Sequence, residues 1–209
     1  MHPTTTPDTE QLEAIEVHGM TRSSFILRGA LAAGSVYGLS AVTPFVGSAL
    51  AQTSSSDLDI VNFALTLEYL EAAFYKKAQS LKLSGDAKRY AKQFGDTEQQ
   101  HVDALIAAAK SLGGKPAAMP KFVFPMKDEK SFLKLAQTLE DTGVGAYNGA
   151  GPAIKSKDIL AAAGSIVQIE ARHAAAIRAL NGEDPAPLAF DKPLATATVL
   201  AAVKPLIKA

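Results

Sequence analysis

The sequence predicts an all-α protein, a four-helix bundle with a long crossover between its second and third helices and a short helix or tail at the C-terminus. Three observations lead there. Apolar residues recur at spacings of three and four along four separate segments. Glycine- or proline-containing breaks divide those segments. Two short phrases, Glu98-Gln99-Gln100-His101 and Glu170-Ala171-Arg172-His173, share the form Glu-x-x-His on the second and fourth of them.

The first helix is expected from Ser56 or Asp57, either able to cap it, to about Leu81. Ile60, Phe63, Ala64, Leu67, Leu70, Phe74 and Ala78 form its apolar stripe. Ser84-Gly85 breaks the chain, and a second helix follows from about Asp86 to Leu112, with Gly95 a candidate irregularity and Gly113-Gly114 the stop. Pro116, Pro120 and Pro125 rule out regular helix from Lys115 to Asp128, where Phe122-Val123-Phe124 suits a short extended piece lying on the bundle. A connection of this length fits a crossover better than a tight turn. The third helix is expected from about Glu129 to Asn148, ended or interrupted over Gly149 to Pro152. The fourth should run from Ser156 or Lys157 to Leu180 and close at Asn181-Gly182. The apolar stretch Leu194 to Leu206 suits a short fifth helix packed on the bundle or on a neighbouring subunit.

Three regions follow: an export signal over 1–51, the bundle over 52–182, and a C-terminal tail over 183–209. Arg22 and Arg28 precede an uncharged stretch from Gly29 to Ser56, and Ala49-Leu50-Ala51 has the form of a cleavage site. The stretch is long enough for a span of about 20 residues but only weakly apolar. A cleaved signal is the expectation, which places the mature protein in the periplasm or cell envelope; membrane association would come only through an uncleaved signal. Thr21 to Arg28 resembles a twin-arginine export signal, with Ser23 where the second arginine should stand.

The 209 residues allow one domain with a substantial core. Net charge is zero and the isoelectric point about 6.9, which argues against a nucleic-acid partner. With no cysteine, disulfides, thiolate zinc sites and iron–sulfur clusters are excluded. A metal here must be held by oxygen and imidazole, which suits iron, manganese or zinc.

Of four histidines, only His101 and His173 lie outside the leader. Glu and His three apart on a helix face the same way. Two such pairs, with one further Glu from each of two other helices, make the ligand set of a two-metal carboxylate site inside a bundle. The other two helices supply Glu68 and Glu140. Each of Glu68, Glu98, Glu140 and Glu170 sits on a mostly apolar stripe, where an unpaired carboxylate costs several kcal/mol. Asp141, with Lys134, Gln137 and Thr138 on its face, reads as solvated. A single Glu-x-x-His could arise by chance; four apolar-face glutamates, one per helix, are harder to explain so. Glu71 competes with Glu68 because Leu67, Phe74 and Ala78 give it an apolar face too. Glu68 is preferred because Tyr75 lies two turns on and Tyr147 repeats that spacing after Glu140. Tyr75 and Tyr147 are either ordinary core aromatics or hydroxyls that bond a ligand carboxylate or give up an electron.

The chain resembles the ferritin-like superfamily, and within it the exported bacterial ferritin-like proteins related to desiccation-associated proteins. The phrases that carry the likeness are Ala64 to Tyr75, Glu98 to His101, Leu139 to Tyr147 and Ile169 to His173. The resemblance implies a ferritin-like bundle. It also implies Glu68 as terminal ligand on one metal, with Glu98 bridging and His101 beside it, and Glu140 terminal on the other, with Glu170 bridging and His173 beside it. Two iron ions are the implied cofactor, with manganese or a mixed manganese–iron pair as the alternative. Dioxygen or hydrogen peroxide is the implied substrate, in iron oxidation or oxidative-stress defence, and a homo-oligomer is possible. Manganese catalase-like peroxide disproportionation is the competing enzymatic reading. A non-enzymatic desiccation- or stress-protective role, with metal only holding the bundle, is the third. A mineral-storing cage is disfavoured, because an exported protein has little reason to store cytosolic iron.

Overall fold

The computed structural model describes residues 56–208. The export signal and its twin-arginine-like phrase lie outside the described residues. Helices α1 (Asp57–Ala78), α2 (Gly85–Ser111), α3 (Glu129–Ala150) and α4 (Lys157–Leu180) form the bundle, and α5 (Thr196–Val203) follows in the tail. The described residues hold no strand beyond one isolated bridge, and none of their helices is long and apolar enough to cross a membrane.

Local chemistry sets the helix ends. Ser56 and Asp59 cap α1 reciprocally: the Asp59 amide donates to Ser56 Oγ and the Ser56 amide to Asp59 Oδ2, both at 3.1 Å. Asp128 and Ser131 do the same for α3. At the C-terminus of α2, Gly113 takes φ +74°, so that its amide reaches Lys110 O and that of Gly114 reaches Ala109 O. Gly182, at φ +75°, closes α4 in the same way. Helix α1 stops three residues earlier than the apolar spacing suggested, because Leu81 folds back onto Ala78 O in a turn. Helix α3 runs two residues further and passes into a single 3₁₀ turn, Gly151–Ala153. Gly95 does not interrupt α2. A Cβ there would stand 3.1 Å from Tyr75 Cβ, so its absence lets α1 and α2 approach beside the site.

Helix α1 packs chiefly on α2 and α3 on α4, two hairpins with their apolar faces together. The crossover runs as an irregular strap between them. Asn62 holds its start, accepting from the Ala117 amide at 2.7 Å and donating to Lys115 O. Further on, Phe122 pairs antiparallel with Ile207, while Phe124 packs edge-on against Phe74 in the core. The extended piece is thus held by the chain's own C-terminal segment. That segment also lies on α3: the Leu194 amide donates to Gly145 O at 2.8 Å, and a Cβ on Gly149 would collide with Leu194 O at 2.0 Å.

Candidate metal centre

Midway along the bundle, the core stops being apolar. Glu68, Glu98, Glu140 and Glu170, one from each long helix, are fully buried, and His101 and His173 nearly so. Each lies on the inward face that its apolar neighbours at three and four residues define. Their ligand atoms fall into two sets, Glu68, Glu98, His101 and Glu170, and Glu98, Glu140, Glu170 and His173. Within each set the atoms lie within 4.8 Å of one another. Glu98 and Glu170 belong to both.

The two imidazoles point their Nδ1 atoms into this cluster. His101 Nδ1 lies 2.8 Å from Glu98 Oε2, 3.1 Å from Glu170 Oε1 and 3.2 Å from Glu68 Oε2. His173 Nδ1 lies 2.8 Å from Glu98 Oε1 and 3.6 Å from Glu140 Oε2. Proximity does not amount to hydrogen bonding throughout. Glu98 Oε1, Glu140 Oε2, both Glu170 oxygens and His173 Nδ1 are buried with no hydrogen-bond partner. Four of these five atoms make only an imidazole–carboxylate ion-pair contact and Glu170 Oε2 lacks a hydrogen bond, an arrangement that is costly without a further cation. Hard oxygen donors with two imidazoles form a set suited to iron or manganese. The donor set and its orphaned atoms therefore fit a pair of metal ions.

The outer atoms are held. Tyr147 donates to Glu68 Oε1 at 2.5 Å, and Tyr75 donates to Glu140 Oε1. The sequence left open which ligand carboxylate each phenol would bond. The phenols cross over: α1 serves the glutamate of α3, and α3 that of α1. Burial and the adjacent carboxylate push both phenols well above their ordinary pKa, so they stay protonated donors. Phe94 stacks on the His173 ring, with centroids 3.8 Å apart, and Tyr90 in turn stacks on Phe94. Phe94 shares the Glu98 face of α2, but nothing in the spacing indicated that it would clamp a ring on α4.

Glu71 is buried as well, 3% exposed, although it belongs to neither set. Gly143 makes room for it: a Cβ there would stand 3.2 Å from Glu170 Oε2 and 3.3 Å from Glu71 Oε1. Both first-helix candidates therefore reach the centre, Glu68 among the convergent atoms and Glu71 beside them.

Electrostatics follow from burying five carboxylates with two imidazoles. Burial raises Glu68 to about 7, against the pull of His101. It also raises Glu71, Glu140 and Glu170, with repulsion from neighbouring carboxylates adding to it. Glu98 moves the other way, to about 2, because close contact with both imidazoles outweighs its burial. Burial draws the imidazoles down, but the surrounding carboxylates prevail, taking His101 to about 12 and His173 to about 9. Protons thus stand in for positive charge at this centre when no cation is bound.

Residues 56–183 match the ferritin-like domain family model, which covers more than half of the chain. The chain belongs to the ferritin-like domain family. Among solved structures it is similar to a conserved hypothetical protein from Mycobacterium tuberculosis, with a TM-score of 0.56 and 18% identity over 64% of this chain and 96% of that one. That likeness shows the shared fold. No curated protein matches the sequence.

Proposed function

We propose that this protein is a di-metal carboxylate protein, with two iron ions as its cofactor, and that it acts as a ferroxidase or peroxidase in oxidative-stress defence outside the cytoplasm. The observation that carries this reading is that Glu98 and Glu170 each belong to both four-residue sets. Two carboxylates shared between two sets are what a pair of bridged metals requires. In this reading Glu68 and His101 complete one site, and Glu140 and His173 the other. Four carboxylates neutralise two divalent cations, which removes the repulsion among them. A pair of iron(II) ions held by these residues would supply two electrons in all, enough with two protons to reduce dioxygen to hydrogen peroxide, or hydrogen peroxide to water.

The chain's own groups do the rest. Tyr147 and Tyr75 fix Glu68 and Glu140 by hydrogen bonds and so hold the ligand oxygens in place. Phe94 holds the plane of the His173 imidazole. Full burial of the four glutamates keeps bulk water from the reacting atoms. Location outside the cytoplasm rests on the signal-like composition of residues 22–51.

The test is elemental analysis of the natively produced protein, followed by mixing of the iron(II)-loaded form with each oxidant. Two metals per chain, and consumption of dioxygen or peroxide in proportion to iron oxidised, are expected. Metal-loaded protein inert to both oxidants would leave a structural role for the metal. Manganese in the native protein, with peroxide disproportionation and no need for iron, would select the catalase-like reading.

A further inference from the structure

A second feature lies toward the end of the bundle formed by the start of α1 and the end of α3. It is a cavity of about 30 Å³. Ala64, Leu67, Leu105, Tyr147, Ile159 and Ala163 are among the residues that line it. Tyr147 is the only lining residue with a polar side-chain atom, and its hydroxyl is engaged by Glu68. The exposed Ala162 and the half-buried Phe63 and Ala108 put one side of the cavity near the surface. Tyr147 lines the cavity while its hydroxyl donates to Glu68 of the metal centre, and Leu67 adjoins Glu68 in the chain.

Such a space selects by polarity. A water molecule needs roughly 10–15 Å³ and two to four polar partners, so an apolar cavity of this kind stays dry. Hydrogen peroxide, which donates and accepts hydrogen bonds at both ends, would lose them on entry, at a cost of some kcal/mol. A diatomic gas makes no hydrogen bonds and loses nothing. The volume of about 30 Å³ is enough for a small apolar molecule such as a diatomic gas.

We propose that this cavity is a binding site for dioxygen, placed against the Tyr147 ring so that the gas reaches the metal centre past that residue while peroxide is turned away. Binding in the cavity stands on its own; delivery to the metal rests on the function proposed above.

Xenon is the probe, because it binds dry apolar cavities and needs no metal. The metal-free full chain would be titrated with xenon, followed by ¹²⁹Xe NMR and by a xenon-pressurised crystal. The expected result is one saturable site between Ala64 and Tyr147, abolished in Ala163→Leu, with Ala64→Val as the substitute should that variant fail to fold. Absence of xenon from this position in the wild-type protein overturns the proposal. In the iron(II)-loaded protein, Ala163→Leu should slow the reaction with dioxygen several-fold and leave that with peroxide within two-fold. Equal slowing of both would overturn the selective route. A loaded protein that reacts with neither oxidant would remove the function proposed above, and the xenon result would still decide the binding site.

Discussion

The Tyr147 hydroxyl on α3 lies 2.5 Å from Glu68 Oε1 on α1 and donates to it. Tyr75 on α1 returns the arrangement by donating to Glu140 on α3. Residue 68 lies opposite 147 and residue 75 opposite 140, which requires α1 and α3 to run antiparallel. Seven residues of helix rise about 10 Å. The tyrosine on the facing helix, not the one two turns along the same helix, therefore lies level with each carboxylate.

Tyr147→Phe removes one oxygen and keeps the ring. A hydrogen bond to a charged acceptor is worth about 1.5–3 kcal/mol, and loss of a partner that orients a ligand costs roughly 10–100-fold in metal affinity. Calorimetric titration with manganese(II) should show weakening in that range, with the helical circular dichroism unchanged. Tyr75→Phe should act equally through Glu140. Full affinity in both variants would show that the phenols are ordinary core aromatics.

Glu98 and Glu170 are shared between the two sets, so neutralising either should damage both sites together. Metal per chain in Glu98→Gln and Glu170→Gln should fall from two to below one by elemental analysis. His173→Ala should also bring it below one. Retention of two metals by all three variants would remove the proposed centre.

The metal-free protein should lose stability as pH rises. Glu68 is raised from 4.5 to about 7, so the stability it contributes is complete below pH 4.5 and lost through pH 7. His173 is raised from 6.5 to about 9, so its share is complete below pH 6.5 and lost through pH 9. Glu98, lowered to about 2, contributes above pH 4.5 and loses that share as pH falls toward 2. Thermal melts of chelated protein should therefore peak near pH 5 and decline toward pH 9. Added metal displaces the protons and should raise the melting temperature more at pH 8 than at pH 5. A flat profile for the chelated protein would mean that the carboxylates are not crowded as described.

Three glycines should respond differently to alanine. Gly149→Ala drives a methyl group into the Leu194 carbonyl and should destabilise by about 1–3 kcal/mol or more by detaching the tail. At Gly164, in mid-helix with nothing within 4 Å, alanine should stabilise by roughly 0.4–1 kcal/mol. Gly143→Ala should leave the fold intact but press on Glu170 and Glu71, lowering metal content. Denaturant titration and elemental analysis separate the three cases.

Much of the helical framework was legible because helix signals are local. Ser56, Asp128 and Ser156 cap through their own side chains, and Gly113 and Gly182 stop helices through their own φ. Errors of two or three residues at the ends of α1 and α3 arose where the chain leaves the helix gradually through turns, which apolar spacing does not register. The convergence of six side chains was also legible, since four carboxylates on apolar stripes have few inexpensive places to go. The roles of Phe94 and Gly143 were not, because each depends on a residue of another helix.

The sequence by itself determined which residues face inward and which of them carry charge, because periodicity along one helix assigns every side chain to a face. Only the tertiary structure decided how the four faces meet. It set Glu98 and Glu170 between the two histidines, crossed the tyrosines to the opposite glutamates, and brought Glu71 in beside Glu68. Those relationships depend on the axial register of one helix against another, a property of packed pairs that no single segment encodes.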